Sequence, residues 1–241
     1  MKVKISSFLS PLIFLLFWYG LSFFINAPLI LPYPHVVVQR LFVLAQSTQF
    51  WLAFLFTILR VFAAFLISFV IGFFFGLISA DSSIFKNLLS FPLGVIRATP
   101  IIAFILLALF WFHSGIVPVF VAVLMSLPVM ITAAEKGFEK NPENQEKLFK
   151  ASCYGLTGIK AFRYIRLPAA MPSVFSGLES SFGLCWKVVA AGEVLSIPHY
   201  AAGTIMQKAQ VHLETADTLA ITLAIILISL LCGKIIHFLI K

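Results

Sequence analysis

Long apolar runs, each closed by a short polar or proline-bearing segment, set the pattern of this chain. Residues 5–25 read ISSFLSPLIFLLFWYGLSFFI and residues 51–80 read WLAFLFTILRVFAAFLISFVIGFFFGLISA. Further runs cover 88–112, 116–134 and 219–240, and a more polar one, AAMPSVFSGLESSFGLCWKVVAAGEVL, covers 169–195. A bilayer core is crossed by a helix of roughly 20 apolar residues. The pattern therefore predicts an all-α membrane protein with six transmembrane helices. The run at 51–80 is longer than a ~30 Å core requires at ~1.5 Å per residue, which predicts tilt or interfacial ends. Its Gly72 and Gly76 are spaced as G-x-x-x-G, a candidate for close helix contact. Pro92 and Pro172 mark the third and fifth runs as candidates for interfacial or broken helices. Between the first two runs, residues 26–50 carry three prolines in their first nine positions and then a short amphipathic stretch suited to the interface.

Composition agrees with this pattern. The 241 residues are 61% hydrophobic and 11% charged, with a mean hydropathy of +1.05. A soluble domain needs a far more charged exterior. Twenty-seven phenylalanines point the same way, because their rings are costly to leave in water. A single membrane domain, residues 1–241 with a core at about 50–240, accounts for the chain. Cys153, Cys185 and Cys232 are widely spaced and lack a C-x-x-C pattern. They read as small apolar fillers, with no metal site or disulfide framework.

The formal charge of +8 matters through its distribution. No soluble basic lobe exists to bind nucleic acid. With both termini inside, the inner segments hold Lys2, Lys4, Lys86, seven basic residues from Lys136 to Arg166, and Lys241. The outer loops keep Arg40 and Lys208. The excess of lysine and arginine on one side places both termini in the cytoplasm. Lys2 and Lys4 before the first run resemble a signal peptide, but no small-residue cleavage site follows, and a retained first span is expected.

The cytoplasmic stretch between spans four and five is EKGFEKNPENQEKLFKASCYGLTGIKAFRYIRLP. Asn141 and Pro142 suit an N-cap and first-turn pair. Gly155 turns the chain, a short second helix runs from Thr157 toward Arg166, and Pro168 closes this segment and starts the next. Its apolar Phe149, Tyr154, Ile159, Phe162 and Ile165 need a hydrophobic pocket, in this subunit or another. A solvated loop that only fixes topology is the alternative.

These residues resemble the cytoplasmic signature of the permease subunits of bacterial ABC importers, the binding-protein-dependent transport family. That signature is E-A-A, three residues, Gly, nine residues, Ile, one residue, Leu-Pro. Ala151, Gly155, Ile165, Leu167 and Pro168 stand at those spacings, while Phe149 and Lys150 replace the usual Glu and Ala. TILRVFAAF, RATPIIAF, LFWFHSG and CWKVVAAGEVL resemble the subfamily for nitrate, sulfonate, taurine and thiamine-precursor uptake, with His113 where glycine is usual. The resemblance implies a coupling helix that docks on a cytoplasmic ATPase, with Phe149, Tyr154 and Phe162 as anchors. It further implies a homodimer of permeases in the bacterial inner membrane, two ATPase subunits, and a periplasmic or lipid-anchored solute-binding protein. No G-x-x-x-x-G-K-[ST] sequence occurs in the chain. No cofactor is expected on it, and ATP and Mg²⁺ belong to the partner.

Charges within the runs are the remaining candidates. Arg60 lies nine residues into the second run and reads either as a pathway or pairing residue or as one that snorkels to the headgroups. Glu179, Trp186, Lys187 and Glu193 share the fifth run, whose serines and glycines suit the bundle interior or the side of a pathway. Lys187 and Glu193 are six apart and do not form an i,i+4 pair. A secondary transporter or channel without ATPase coupling is the other functional class open to six spans. The chain shows no inverted repeat to support it.

Overall fold

The protein is described by a computed structural model covering residues 2–139, 145–146, 149–150, 153 and 156–240. All regular structure among these residues is helical. Helix α1 (Lys2–Ile25) leads through a proline-bearing turn to α2 (Pro34–Ala45), which starts on Pro34, where a missing N–H costs nothing. Trp18 Nε1 donates to Pro32 O at 3.2 Å and Tyr19 shares a 2.8 Å hydrogen bond with His35, so the turn anchors α1.

Helix α3 (Thr48–Asp81) opens on Ser47, whose hydroxyl accepts the Phe50 N–H at 3.2 Å. Its 34 residues extend about 50 Å. Ser82 ends α3 and caps α4 (Ser83–Ala98), which meets α5 (Ile101–Trp111) at 101°. The break falls at Thr99, whose ψ of 131° is the extended conformation that Pro100 imposes on its predecessor. Pro92 and Pro172, the two prolines that sequence marked for bends, both lie inside helices. Membrane helices tolerate such prolines where neighbouring groups compensate the lost hydrogen bond.

Helix α6 (Val117–Phe138) precedes the segment of which only part is described. A single turn, α7 (Gly158–Ala161), passes through a π-helical turn (Phe162–Arg166) directly into α8 (Leu167–Ser196). The long helix does begin at Leu167 and Pro168, as expected, but the chain does not break before it. In the π turn the Leu167 N–H reaches back five residues to Phe162 O, and this wider turn carries the helix past a proline that has no N–H to give. Two helices complete the chain: α9 (Ala202–Val211) and α10 (Thr215–Ile240), the latter starting four residues before the last apolar run.

By length and composition, α3, α6 and α10 are apolar enough to cross a membrane, and the bent pair α4–α5 is a fourth crossing if taken as one. At 30 residues α8 is long enough, but serines, glycines and charges interrupt it.

Packing centres on α6, which lies between α3 and α8. Val61, Ala64 and Phe65 of α3 meet Val121 and Met130 of α6, and Val174, Phe182, Cys185 and Trp186 of α8 close the core. Exposed large apolar side chains crowd α1, α3, α5 and α10, yet none belongs to α6, and Leu195 is the one on α8. The first four are lipid-facing in character, and α6 and α8 are interior helices.

The contact between α3 and α6 depends on small residues. A Cβ on Gly72 would lie 2.6 Å from Met130 Cβ, and one on Gly76 would lie 2.5 Å from Ala134 Cβ and 2.6 Å from Ile131 O. The Gly76 clash includes backbone, which has no rotamer to escape into. We expect Gly76→Leu to push α3 off α6 and destabilise the fold by about 1–3 kcal/mol or more, the usual cost of overpacking. Gly94→Leu, whose added Cβ meets nothing within 4 Å, is the matched control. Thermal unfolding in detergent distinguishes them, and equal melting temperatures would disprove the contact.

Candidate functional site

Polar side chains interrupt this apolar bundle in several places. The first surrounds Glu193, three residues before the end of α8 and fully buried. The Thr57 hydroxyl lies 3.0 and 2.9 Å from its two carboxylate oxygens, and Arg60 Nη1 donates to it at 2.8 Å. The Gly203 N–H, in the first turn of α9, donates to Glu193 Oε2 at 3.1 Å. The neighbouring Ala202 N–H donates to Thr57 Oγ1 at 3.0 Å. Arg60 Nη1 also reaches Tyr200 O at 2.7 Å. One carboxylate thus binds α3, α8 and the positive end of α9 together. Arg60, whose side chain is 13% exposed, turns into the bundle rather than out to headgroups. Gly203 permits this approach, since a Cβ there would lie 2.6 Å from Glu193 Cβ.

The second group lies at the opposite end of α8. Arg166 makes a two-pronged ion pair with Asp81 at the end of α3, at 2.8 and 2.6 Å. It also donates to Phe138 O at 3.2 Å, with its guanidinium 5.7 Å from the Phe138 ring centre. Phe162 stacks on Phe138, with ring centroids 5.9 Å apart at 12°. Nearby, Glu135 accepts from Ser79 at 2.8 Å and pairs with Lys86 at 2.7 Å. The expected apolar set divides. Phe162, Ile165 and Leu167 are half-buried, whereas Phe149, Ile159 and Tyr164 are exposed along with Pro168. Ala151, Tyr154 and Gly155 lie outside the described residues.

The third group lines a cavity of about 630 Å³ between α4, α6 and α8. Arg97 Nη2 donates to Thr132 Oγ1 at 2.5 Å and to Pro128 O at 3.2 Å. Lys136, Ser173, Ser176 and Ser180 complete its polar lining.

Of the other sequence candidates, Glu179 pairs with His237 of α10 at 2.5 Å. Trp186 is core, edge-on to Phe182 at 6.4 Å, and Lys187 is exposed. Cys153, Cys185 and Cys232 are all free thiols. Sequence reasoning did not single out Thr57, Asp81 or Asp217. Thr57 and Arg60 are three apart and share one helix face, the one local signal available. Asp81 reads as a turn residue, and Asp217, two-pronged to Arg40 across 177 residues, has no local signal. That carboxylate raises the Arg40 guanidinium above its ordinary value through the hydrogen bond.

Removing Glu193 leaves the Arg60 guanidinium without its counter-charge and the Gly203 N–H without its acceptor, while Tyr200 O and Ala53 O still accept from Arg60 and Thr57. Breaking one partner of a buried pair costs about 3–5 kcal/mol. We expect Glu193→Ala to lose that much, and the pair Arg60→Met with Glu193→Met to recover a large part of it. Unfolding midpoints of the single and double variants test this. Additive losses would mean that the two side chains do not depend on each other.

Comparison with known proteins places this arrangement. Residues 69–241 match the family described as the inner membrane component of binding-protein-dependent transport systems. The glycine betaine transport system permease protein of Bacillus subtilis is 23% identical over 195 residues, covering 80% of this chain and 68% of that protein. The taurine transport system permease protein of Escherichia coli is 23% identical over 203 residues, covering 80% and 72%. A probable ABC transporter permease protein of Haemophilus influenzae is 29% identical over 206 residues, covering 83% and 80%. Polar groups carried inside an apolar helical bundle, at both ends and along a cavity, suit a protein that moves a solute rather than one that transforms it. The chain belongs to the binding-protein-dependent transport family and is a permease component of an ABC transporter, with ATP hydrolysis left to a separate subunit.

Proposed function

We propose that this chain forms half of the translocation pathway of an ATP-driven importer for a small organic solute. Two copies would form the pathway, clasped by two ATPase subunits that hold ATP and Mg²⁺. A periplasmic or lipid-anchored binding protein delivers the solute to the face opposite the ATPases. Six spans with both termini in the cytoplasm of a bacterium suit the distribution of lysine and arginine. In that orientation α1, the bent pair α4–α5 and α8 supplement the three strongly apolar helices. The relatives named for glycine betaine and taurine support a small organic solute.

The observation that carries the coupling role is the division of the 149–166 segment. One side of it is fixed to the bundle through Arg166, Asp81 and Phe162, while Ile159, 84% exposed, and Tyr164, 65% exposed, are displayed away from it. Apolar side chains displayed on a rigidly mounted basic segment make a docking knob for a groove in another protein. The ATPase is the partner that this family supplies. Force applied to such a knob passes to α3 and α6 through the Arg166 ion pair and to α8 through the unbroken helix. The movement then shifts the population between states open to either side.

Ile159→Asp should therefore reduce co-purification of the ATPase by about tenfold or more, as loss of a central interface anchor does. Gly155→Val should reduce uptake and ATPase association together. Both variants should insert in the membrane normally. Full co-purification with full uptake would show that the segment is only a solvated loop.

The topology has its own test. Impermeant thiol reagents applied to whole cells should label a cysteine placed at residue 45 and spare one at residue 144. The reverse pattern would overturn the orientation.

A further inference from the structure

Helix α4 divides its circumference into three unequal parts. At about 3.6 residues per turn, Ile84, Leu88, Phe91 and Val95 fall in one stripe, and Phe85, Leu89, Leu93 and Ile96 fall in a second beside it. The second stripe is half-buried against the bundle, with Phe85 edge-on to Phe75 of α3 at 5.7 Å. The first is exposed, by 83% at Ile84, 70% at Leu88 and 79% at Phe91. The remaining arc holds Ser83, Asn87, Ser90 and Gly94, with Lys86 and Arg97 at its edge toward the bundle. Those two side chains are tied back to α6: Lys86 pairs with Glu135 at 2.7 Å, and Arg97 donates to Thr132 Oγ1 and Pro128 O. Away from the bundle, α4 therefore shows bulky apolar side chains beside small uncharged polar ones.

The same ties give the inclination of α4. From Lys86 to Arg97 the helix advances about 16 Å, whereas their partners on α6 are only about 5–10 Å apart along that helix. Helix α4 thus runs across α6 more than along it. After the 101° bend, α5 enters the core through Ile105 and Ala108, beside Val117 and Val121 of α6. Helix α4 also follows Asp81 after the single residue Ser82, so it belongs to the end of the bundle that carries the Arg166 ion pair. At that end Phe74 and Ile78 of α3 are exposed, and Phe85 of α4 sits on Phe75 between them in sequence. The exposed stripe of α4 continues the lipid-facing side of α3.

We infer that α4 is a membrane-surface helix whose partner is the phospholipid of the inner leaflet, lying in the plane of that leaflet and held by apolar insertion rather than by headgroup charge. Interfacial helices grip a membrane through buried apolar area and through attraction to anionic lipid. In α4 the arc left for water is serine, asparagine and glycine, so the first of these carries the grip. The inference goes beyond the permease reading and takes from it only which leaflet is the inner one. The crossing made by the bent pair then falls to α5 and the turns at its ends. Such a helix also sets the depth of the bundle. Helix α3 extends about 50 Å against a core of ~30 Å, so its apolar length alone would let it slide along the bilayer normal. A helix lying flat at its end and fastened to α6 stops that slide, and fixes the level at which Asp81 and Arg166 stand.

Depth measurements on the assembled transporter test this. The permease, with Cys153, Cys185 and Cys232 replaced by alanine, carries Ile84→Cys, Ser90→Cys or Val95→Cys, each labelled with the fluorophore NBD. It is held with its ATPase in phosphatidylcholine nanodiscs, where both faces are open to solvent. Phosphatidylcholines bearing nitroxides at shallow and deep positions report depth, and reduction by dithionite reports access to water. Labels at 84 and 95 should both be quenched by lipid, at depths differing by less than about half of the ~16 Å between them along the helix. The label at 90 should be reduced several-fold faster than either. A depth difference near the full separation would mean that α4 spans the bilayer, and would overturn the inference. So would labels at 84 and 95 that neither lipid nor dithionite reaches, because a second copy or the ATPase would then cover the stripe. Leu88→Ser with Phe91→Ser should speed reduction at 95 by about tenfold or more, since two apolar anchors are lost, while Leu88→Ile with Phe91→Leu keeps the original rate. Both positions are exposed, and an unchanged melting temperature confirms the fold; an unchanged rate in the serine variant would refute the grip. Added phosphatidylglycerol should leave depths and rates as they are, and deeper labels with slower reduction would assign the hold to headgroup charge instead. Depth is read from the nearer surface, so a chain inserted the other way round gives the same values. That failure shows separately, in the labelling of residues 45 and 144.

Discussion

Close approach of backbones around α6 is the constraint on which the rest of this structure depends. Lipid offers no hydrophobic drive to push one apolar helix against another, so contact must come from shape. Gly72 and Gly76 let α3 reach the backbone of α6, and Gly137 brings the end of α6 within contact of Ala170 on α8. Cores packed at this density do not deform gradually, and a shift in one of the three helices has to be answered by the others. The polar groups at both ends use this rigidity. Glu193 can hold three elements at hydrogen-bond distance because the helices carrying Thr57 and Arg60 are already fixed against its own.

The treatment of charge follows from the same solvent. Charges that tie this bundle together are neutralised by partners far away in sequence, with the buried Glu193 and Arg60 133 residues apart and the more exposed Asp81 and Arg166 85 apart. Long-range pairs of this kind tie helices that share no loop. Among the described residues Lys187 and Arg97 form no salt bridge, and both side chains are exposed.

Much of this was legible in the sequence, and the gaps have physical causes. Apolar runs located α3, α6 and α10, because lipid demands continuous apolar surface on a helix and that demand is local. The bend at Thr99 was placed at the wrong proline, since sequence does not say which proline has its lost hydrogen bond compensated by neighbours. The unbroken passage at Pro168 was missed for a similar reason: the π turn that permits it has no distinct composition. Arg60 and Glu193 were singled out one by one as charges in apolar runs. Their meeting was invisible, because it depends on how α3 crosses α8. Asp81 and Asp217 sit at helix ends, where an acidic residue is ordinary, and nothing in their neighbourhood announces a distant arginine.

From Gly158 to Ser196 the chain forms one continuous helical rod, and α8 runs antiparallel along α6, with close contacts between Gly192 and Pro118, Gly177 and Ala133, and Ala170 and Gly137. Contacts at both ends and at mid-length hold this rod against α6 along its whole face, with no single pivot. A displacement imposed at the Arg166 end is therefore not absorbed locally, and α6 and α8 have to move as one body that carries the Glu193 end with it.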